Sequence, residues 1–145
     1  MDVLDSAMVH RDFYLRMIAE LGRNLRLAVE RYRAGQLPDS RAETDELFTN
    51  FYDMRAEVAR DLPEEVLLRL LAAEPDRREQ WQFLADLLLL DGDLLAAQHQ
   101  PTEALKAWRQ SLRIYRWLQA QVDTVFSFDR RQRIQELARR IEDWA

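Results

Sequence analysis

Apolar residues recur along this chain at helical spacing, three and four apart, and prolines and glycines fall mainly between those runs. The first run, Phe13, Met17, Leu21, Leu25, Ala28 and Tyr32, predicts one long helix from about Ser6 to Ala34 with this set on its core face. Gly35 follows, placed for the left-handed conformation that ends helices. Pro38-Asp39-Ser40 predicts the start of a second helix, with Asp39 or Ser40 as N-cap and Glu43 returning a capping bond. Its inward face reads Leu47, Phe51, Met54 and Val58. Pro63 opens a short third helix that Pro75-Asp76 closes.

The fourth helix, from about Arg77 to Gln98, is apolar on two sides, through Trp81, Leu84, Leu88 and Leu95 and through Phe83, Leu87, Leu90 and Leu94. A helix clothed on both sides belongs in the middle of a stack. Pro101-Thr102-Glu103 starts a fifth, striped by Leu105, Trp108, Leu112, Tyr115, Leu118 and Val122. A sixth begins near Asp129 and carries Ile134, Leu137, Ile141 and Trp144. Short connections make neighbouring helices antiparallel, so the pattern predicts an all-α fold of about six helices in stacked antiparallel hairpins, one domain over residues 1–145.

Composition points the same way. Gly 3 and Pro 4 are too few for the many turns of a sheet protein. A chain of 145 residues, 48% of them hydrophobic, can bury roughly 68 to 70% of its unfolded surface without a metal or a disulfide. Cys 0 excludes thiol chemistry and suits a reducing compartment, and Met1 to His10 has neither the basic nor the apolar region of a secretory signal. The apolar run Leu87 to Leu90 is closed by Asp86 and Asp91, too short to span a membrane. The expectation is a cytoplasmic protein without a membrane segment. Net charge is −5, and between Asp39 and Glu79 twelve acids face six arginines. Such an acidic chain lacks the electrostatic footprint of a nucleic-acid binder.

The sequence carries no recognisable catalytic, metal or cofactor set. His10 and His99 are the two histidines, and neither has a carboxylate three residues before it, which excludes di-iron and His-Glu-x-x-His sites. His99 reads as a turn residue capping the fourth helix. Asp91-Gly92-Asp93 resembles the start of a calcium loop, but Thr102 stands where the bidentate Glu is required, so these acids read as a polar helix edge. Glycines at 22, 35 and 92 make no phosphate cradle, and Ser6, Ser40, Ser111 and Ser127 sit in no nucleophile elbow. The reading is that the chain is not an enzyme.

Three surfaces could meet a partner. Lys106, Arg109, Arg113 and Arg116 recur at three, four and three, lining a basic stripe suited to an acidic segment, either the chain's own block around Glu43 to Asp53 or a partner's tail. Val125-Phe126-Ser127-Phe128 is apolar for a connection and could be a self-association patch of a homodimer. Phe48, Phe51, Tyr52 and Trp81 could line a small-molecule pocket of a few hundred Å³, or simply fill the core. The last helix has five arginines against four acids, too balanced to bind phosphate surfaces.

Between Leu88 and Tyr115, the residues Gly92, Leu95, Ala104, Trp108 and Leu112 fall at the spacing of a tetratricopeptide repeat, and the segment from about 77 to 122 resembles such a hairpin. Gly92 and Ala104, twelve apart, are its small residues; Leu95 and Trp108 are the large ones beside them. His99 stands where glycine is usual in the turn and Asp91 where the pattern has Leu. A weaker echo runs through Leu27-Ala28, Gly35, Leu37 and Ser40. More broadly, Asp12 to Leu118, with its Arg16-Met17-Ile18 and Leu21-Gly22 entry and its Pro101-Thr102-Glu103-Ala104-Leu105 hairpin, resembles a family of short bacterial proteins of unknown function that end in a tetratricopeptide-like hairpin. That family implies a fold and no mechanism; by analogy with repeat stacks the expectation is a non-catalytic protein-interaction or scaffold module that binds a peptide or partner helix, and the aromatics Phe48, Phe51, Tyr52 and Trp81 give a small-molecule-binding regulatory domain as the alternative.

Overall fold

The computed structural model describes residues 3–121 and 128–145, and no strand occurs among them. Their order is α1 (Val3–Arg33), α2 (Leu37–Tyr52), α3 (Ala56–Asp61), α4 (Glu64–Ala73), a 3-10 turn at Pro75–Arg77, α5 (Arg78–Ala97), α6 (Pro101–Ala120) and α7 (Phe128–Trp144). The fold is all-α.

Two antiparallel hairpins form the body, and the same hydrogen bonds turn both. After α1, Gly35 N–H donates to Tyr32 O and Gln36 N–H to Arg31 O, with Gly35 left-handed at φ 79°. After α5, His99 N–H donates to Ala96 O and Gln100 N–H to Leu95 O, but the left-handed residue, φ 60°, is His99. These paired bonds satisfy carbonyls that a helix end leaves open. Glycine adopts that backbone freely; a residue with a Cβ does so against a steric cost.

Small residues let the helices of each hairpin approach. Ala28 and Ser40, twelve apart and both buried, bring α1 against α2, and the Ser40 hydroxyl donates to Ala28 O at 2.8 Å. Gly92 and Ala104, also twelve apart and buried, do the same for α5 and α6. A Cβ built at Gly92 would fall on Cδ1 and Nε1 of the Trp108 indole, so only glycine admits that ring. Two turns away, Ser111 donates to Ala85 O at 2.7 Å.

α5 is the central element, packed on α6 and touching α1 and α2. It buries Leu84, Leu87, Leu88, Leu90, Leu94 and Leu95, as expected of a helix apolar on two sides. α3 and α4 lie against α6. α7 runs back along α6 so that Trp144 meets Trp108 edge-on, ring centres 5.1 Å apart. A continuous core runs through all of these, with Trp108, Tyr115 and Phe48 its largest fully buried side chains.

Four expectations need correction. The second helix stops at Tyr52, where Asp53 turns left-handed at φ 51°, and a separate α3 follows; Val58, expected inside, is 44% exposed. Phe13, expected on the core face of α1, is 67% exposed because α1 extends beyond the reach of α2. Neither Asp39 nor Ser40 caps α2: it begins at Leu37, Ser40 faces Ala28, and Glu43 pairs with Arg31 instead. Asp91 is no polar helix edge but fully buried. Val122 and residues 125–127 of the apolar connection lie outside the described residues.

Candidate functional site

The site is built on α5, whose carboxylates point two ways. Asp86 and Asp93, seven residues apart, share one face with Leu89 and Leu90 between them, while Asp91 lies on the opposite side. On the inner side, Arg60 of α3 holds Asp91 with two bonds, Nε to Oδ2 at 2.6 Å and Nη2 to Oδ1 at 3.1 Å. Arg41 of α2 brings Nη1 to 2.8 Å from Asp91 Oδ1 without the angle of a hydrogen bond, an ion pair only. Glu103 backs Arg60 at 3.3 Å. Burial lowers the Arg60 pKa, but Asp91 and Glu103 more than offset it, so the guanidinium stays charged. This network ties α2, α3, α5 and α6 together.

On the other side, α7 answers α5 rung for rung. Arg133 and Arg140, also seven apart, meet Asp86 at 2.8 Å and Asp93 at 2.6 Å. The Tyr115 hydroxyl donates to Asp86, and Trp108 Nε1 donates to Asp93 at 3.1 Å. Arg133 lies 5.9 Å from the centre of the Tyr115 ring and Arg140 5.2 Å from that of Trp108, within cation–π reach. Burial raises both carboxyls above the usual range, Asp86 against the pull of Arg133 and Tyr115, Asp93 against Arg140 and Trp108. Burial and the Asp86 charge likewise push the Tyr115 phenol far up, so it remains a donor.

Beside this ladder, α1, α5 and α7 enclose a cleft of about 330 Å³. Its floor is Leu25, Val29, Leu89 and Leu90; Tyr32, Arg33, Asp86, Asp93, Arg133 and Glu136 form its walls. Val29, Leu89 and Tyr32 remain only half-buried there. An apolar floor with charges of both signs around it has the make-up of a small binding cleft. Sequence reasoning missed the cleft, although its signal was present in the matching seven-residue spacings of Asp86/Asp93 and Arg133/Arg140.

The basic stripe lies elsewhere, on α6 beside α3 and α4. Lys106 pairs with Asp61 at 3.1 Å and Glu103 at 3.0 Å. Arg113 bonds Gln110 Oε1 at 2.7 Å and stands 3.9 Å from Glu64. Arg109 and Arg116 are exposed. Two of the acids that reach the stripe, Asp61 and Glu64, belong to the later part of the chain's acidic block rather than to Glu43 to Asp53, and the third, Glu103, is on α6 itself.

A second pocket, about 270 Å³, opens where the end of α2, α4 and the start of α5 meet. Phe51, Tyr52 and Trp81 line it; Phe48 does not, being wholly inside the core. Among the described residues no three carboxylates or histidines come together as metal ligands, and no helix is long and apolar enough to cross a membrane. Set against known protein families, curated proteins and solved structures, the chain matches none of them.

Proposed function

We propose that this chain is a non-catalytic protein-interaction module that seats a peptide or partner helix across the cleft of α1, α5 and α7, and that it acts in the cytoplasm. The observation that carries this reading is the cleft itself, where half-buried Val29 and Leu89 lie open between fixed charges. Stacked helical hairpins present such concave faces to extended or helical ligands. Binding energy would come from a ligand side chain covering Leu89 and Val29, and register from charges meeting Arg33 and Glu136. The ladder to α7 fixes the far wall in advance, which lowers the ordering cost of binding.

The stripe on α6 is the competing surface. Peptides selected from a random display library should lose at least about tenfold in affinity for Leu89→Glu, and keep it for Arg109→Glu with Arg116→Glu. Selected peptides that ignore Leu89→Glu but lose affinity and salt sensitivity with the double charge reversal would move the site to the stripe.

A further inference from the structure

α1 carries a second stripe, which its own fold leaves in solvent. Leu21, Leu25 and Ala28 turn inward and are buried. On the outer side Val9, Phe13, Arg16, Glu20, Arg23 and Leu27 follow one another at alternating spacings of four and three, and all six are exposed. Phe13 is 67% exposed and Val9 56%, a large apolar area to leave in water. Alternation of four and three is the seam along which one helix packs on another in a coiled coil. A straight helix drifts only about 20° per heptad against that repeat, so from Val9 to Leu27 the six stay on one face. At 1.5 Å per residue the seam is about 27 Å long.

The order of side chains on the seam selects what can cover it. Its ends are apolar, through Val9 and Phe13 and through Leu27, and its middle reads Arg16, Glu20, Arg23. An apolar ligand or a lipid surface would bury these three charges unpaired, at a prohibitive cost. A parallel copy of α1 in register would set each charge against its like. An antiparallel copy fits: with Arg16 of one copy opposite Glu20 of the other, Val9 falls opposite Leu27 and Phe13 opposite Arg23. Two-fold symmetry repeats each of these layers. Arg23 then covers an aromatic ring, a cation–π contact. At the edge of the seam, where coiled coils place their salt bridges, Asp12 comes beside Arg26 of the other copy. Neither Glu20 nor Arg23 nor Arg26 has an ion-pair partner among the described residues, so all three are available for these contacts.

We propose that α1 pairs antiparallel with α1 of a second copy of this chain along the Val9 to Leu27 seam, forming a two-fold symmetric dimer. The surface is separate from the cleft of α1, α5 and α7, whose α1 residues Leu25, Val29, Tyr32 and Arg33 lie off the seam.

Sedimentation equilibrium of the whole chain should show a reversible dimer with a dissociation constant of about 1–100 µM. Arg16→Glu and Glu20→Arg, both at exposed positions that leave the monomer fold intact, should each weaken it about tenfold or more, because each sets like charges face to face. Mixing the two single variants, or joining both substitutions in one chain, should restore the dimer, since either combination again opposes unlike charges. The chain has no cysteine, so Val9→Cys and Leu27→Cys supply unique thiols for a short bismaleimide. The linker should join the two variants to each other and should not join Val9→Cys to itself. A chain that stays monomeric at about 1 mM would overturn the proposal. So would a dimer indifferent to both charge reversals, which would place the contact elsewhere, or linkage of Val9→Cys to itself, which would make the pairing parallel.

Discussion

Gly92 contributes by what it lacks: with no Cβ, it lets the Trp108 indole lie directly on the α5 backbone, where Nε1 still reaches Asp93. The opposite case is His99, which holds a left-handed backbone that its Cβ resists, at the turn where α1 uses Gly35. The hydrogen bonds around the two turns are the same, so the difference in cost is local to the side chain. His99→Gly should therefore raise the unfolding free energy by about 1 kcal/mol, read from chemical denaturation. An unchanged or lower stability would mean that the imidazole has a role the backbone geometry does not express. The spacing of Gly35 and Gly92 made both positions legible in the sequence. Asp91 was not, because a carboxylate between Leu90 and Gly92 has the same periodicity whether it meets water or a guanidinium from another helix.

At the scale of elements, long periodic runs were read well and short ones poorly. α1, α5, α6 and α7 carry apolar stripes of several turns, which a helix of that length can satisfy only against a core. The break at Asp53 has no signal in the sequence, since no proline or glycine marks it and Met54 and Val58 continue the spacing of Leu47 and Phe51 across a helix end. Phe13 was misplaced for a related reason: a stripe tells which face is apolar, not where the neighbouring helix stops. Pairing between elements was also hidden, since Arg60 and Asp91 lie 31 residues apart. Their bond fastens the six-residue α3 to α5, while Gln110 Nε2, donating to Ala59 O at 2.9 Å and Leu62 O at 3.0 Å, holds it to α6. Asp91→Asn should cost about 3–5 kcal/mol of unfolding free energy, because it removes the bidentate countercharge of buried Arg60 and leaves it only Glu103 at 3.3 Å. A loss below about 1 kcal/mol would show that water or Glu103 replaces Asp91 there.

At the scale of the whole molecule, these contacts form two hairpins closed by α7, with the cleft as the surface left over between α1, α5 and α7. Trp108 connects the parts: it packs on Gly92, bonds Asp93, lies under Arg140 and meets Trp144. The close approach of α5 and α6 therefore also sets where α7, and with it the wall carrying Arg133, can sit. The sequence carries the matching spacings of the α5–α7 ladder, but the cleft beside it belongs to three helices at once, and only their arrangement creates it.

The most direct test of this account is a double-mutant cycle on Gly92 and Trp108, followed by equilibrium denaturation. In the wild-type background Gly92→Ala should destabilise by about 1–3 kcal/mol, because the new methyl group has no space beside a rigid indole. In a Trp108→Ala background, itself about 3–5 kcal/mol less stable, the same substitution should be neutral or stabilise by up to about 1 kcal/mol, as alanine does in a helix. A Gly92→Ala effect of the same sign and size in both backgrounds would contradict the interlock, and with it the placement of α6 and α7 around the cleft.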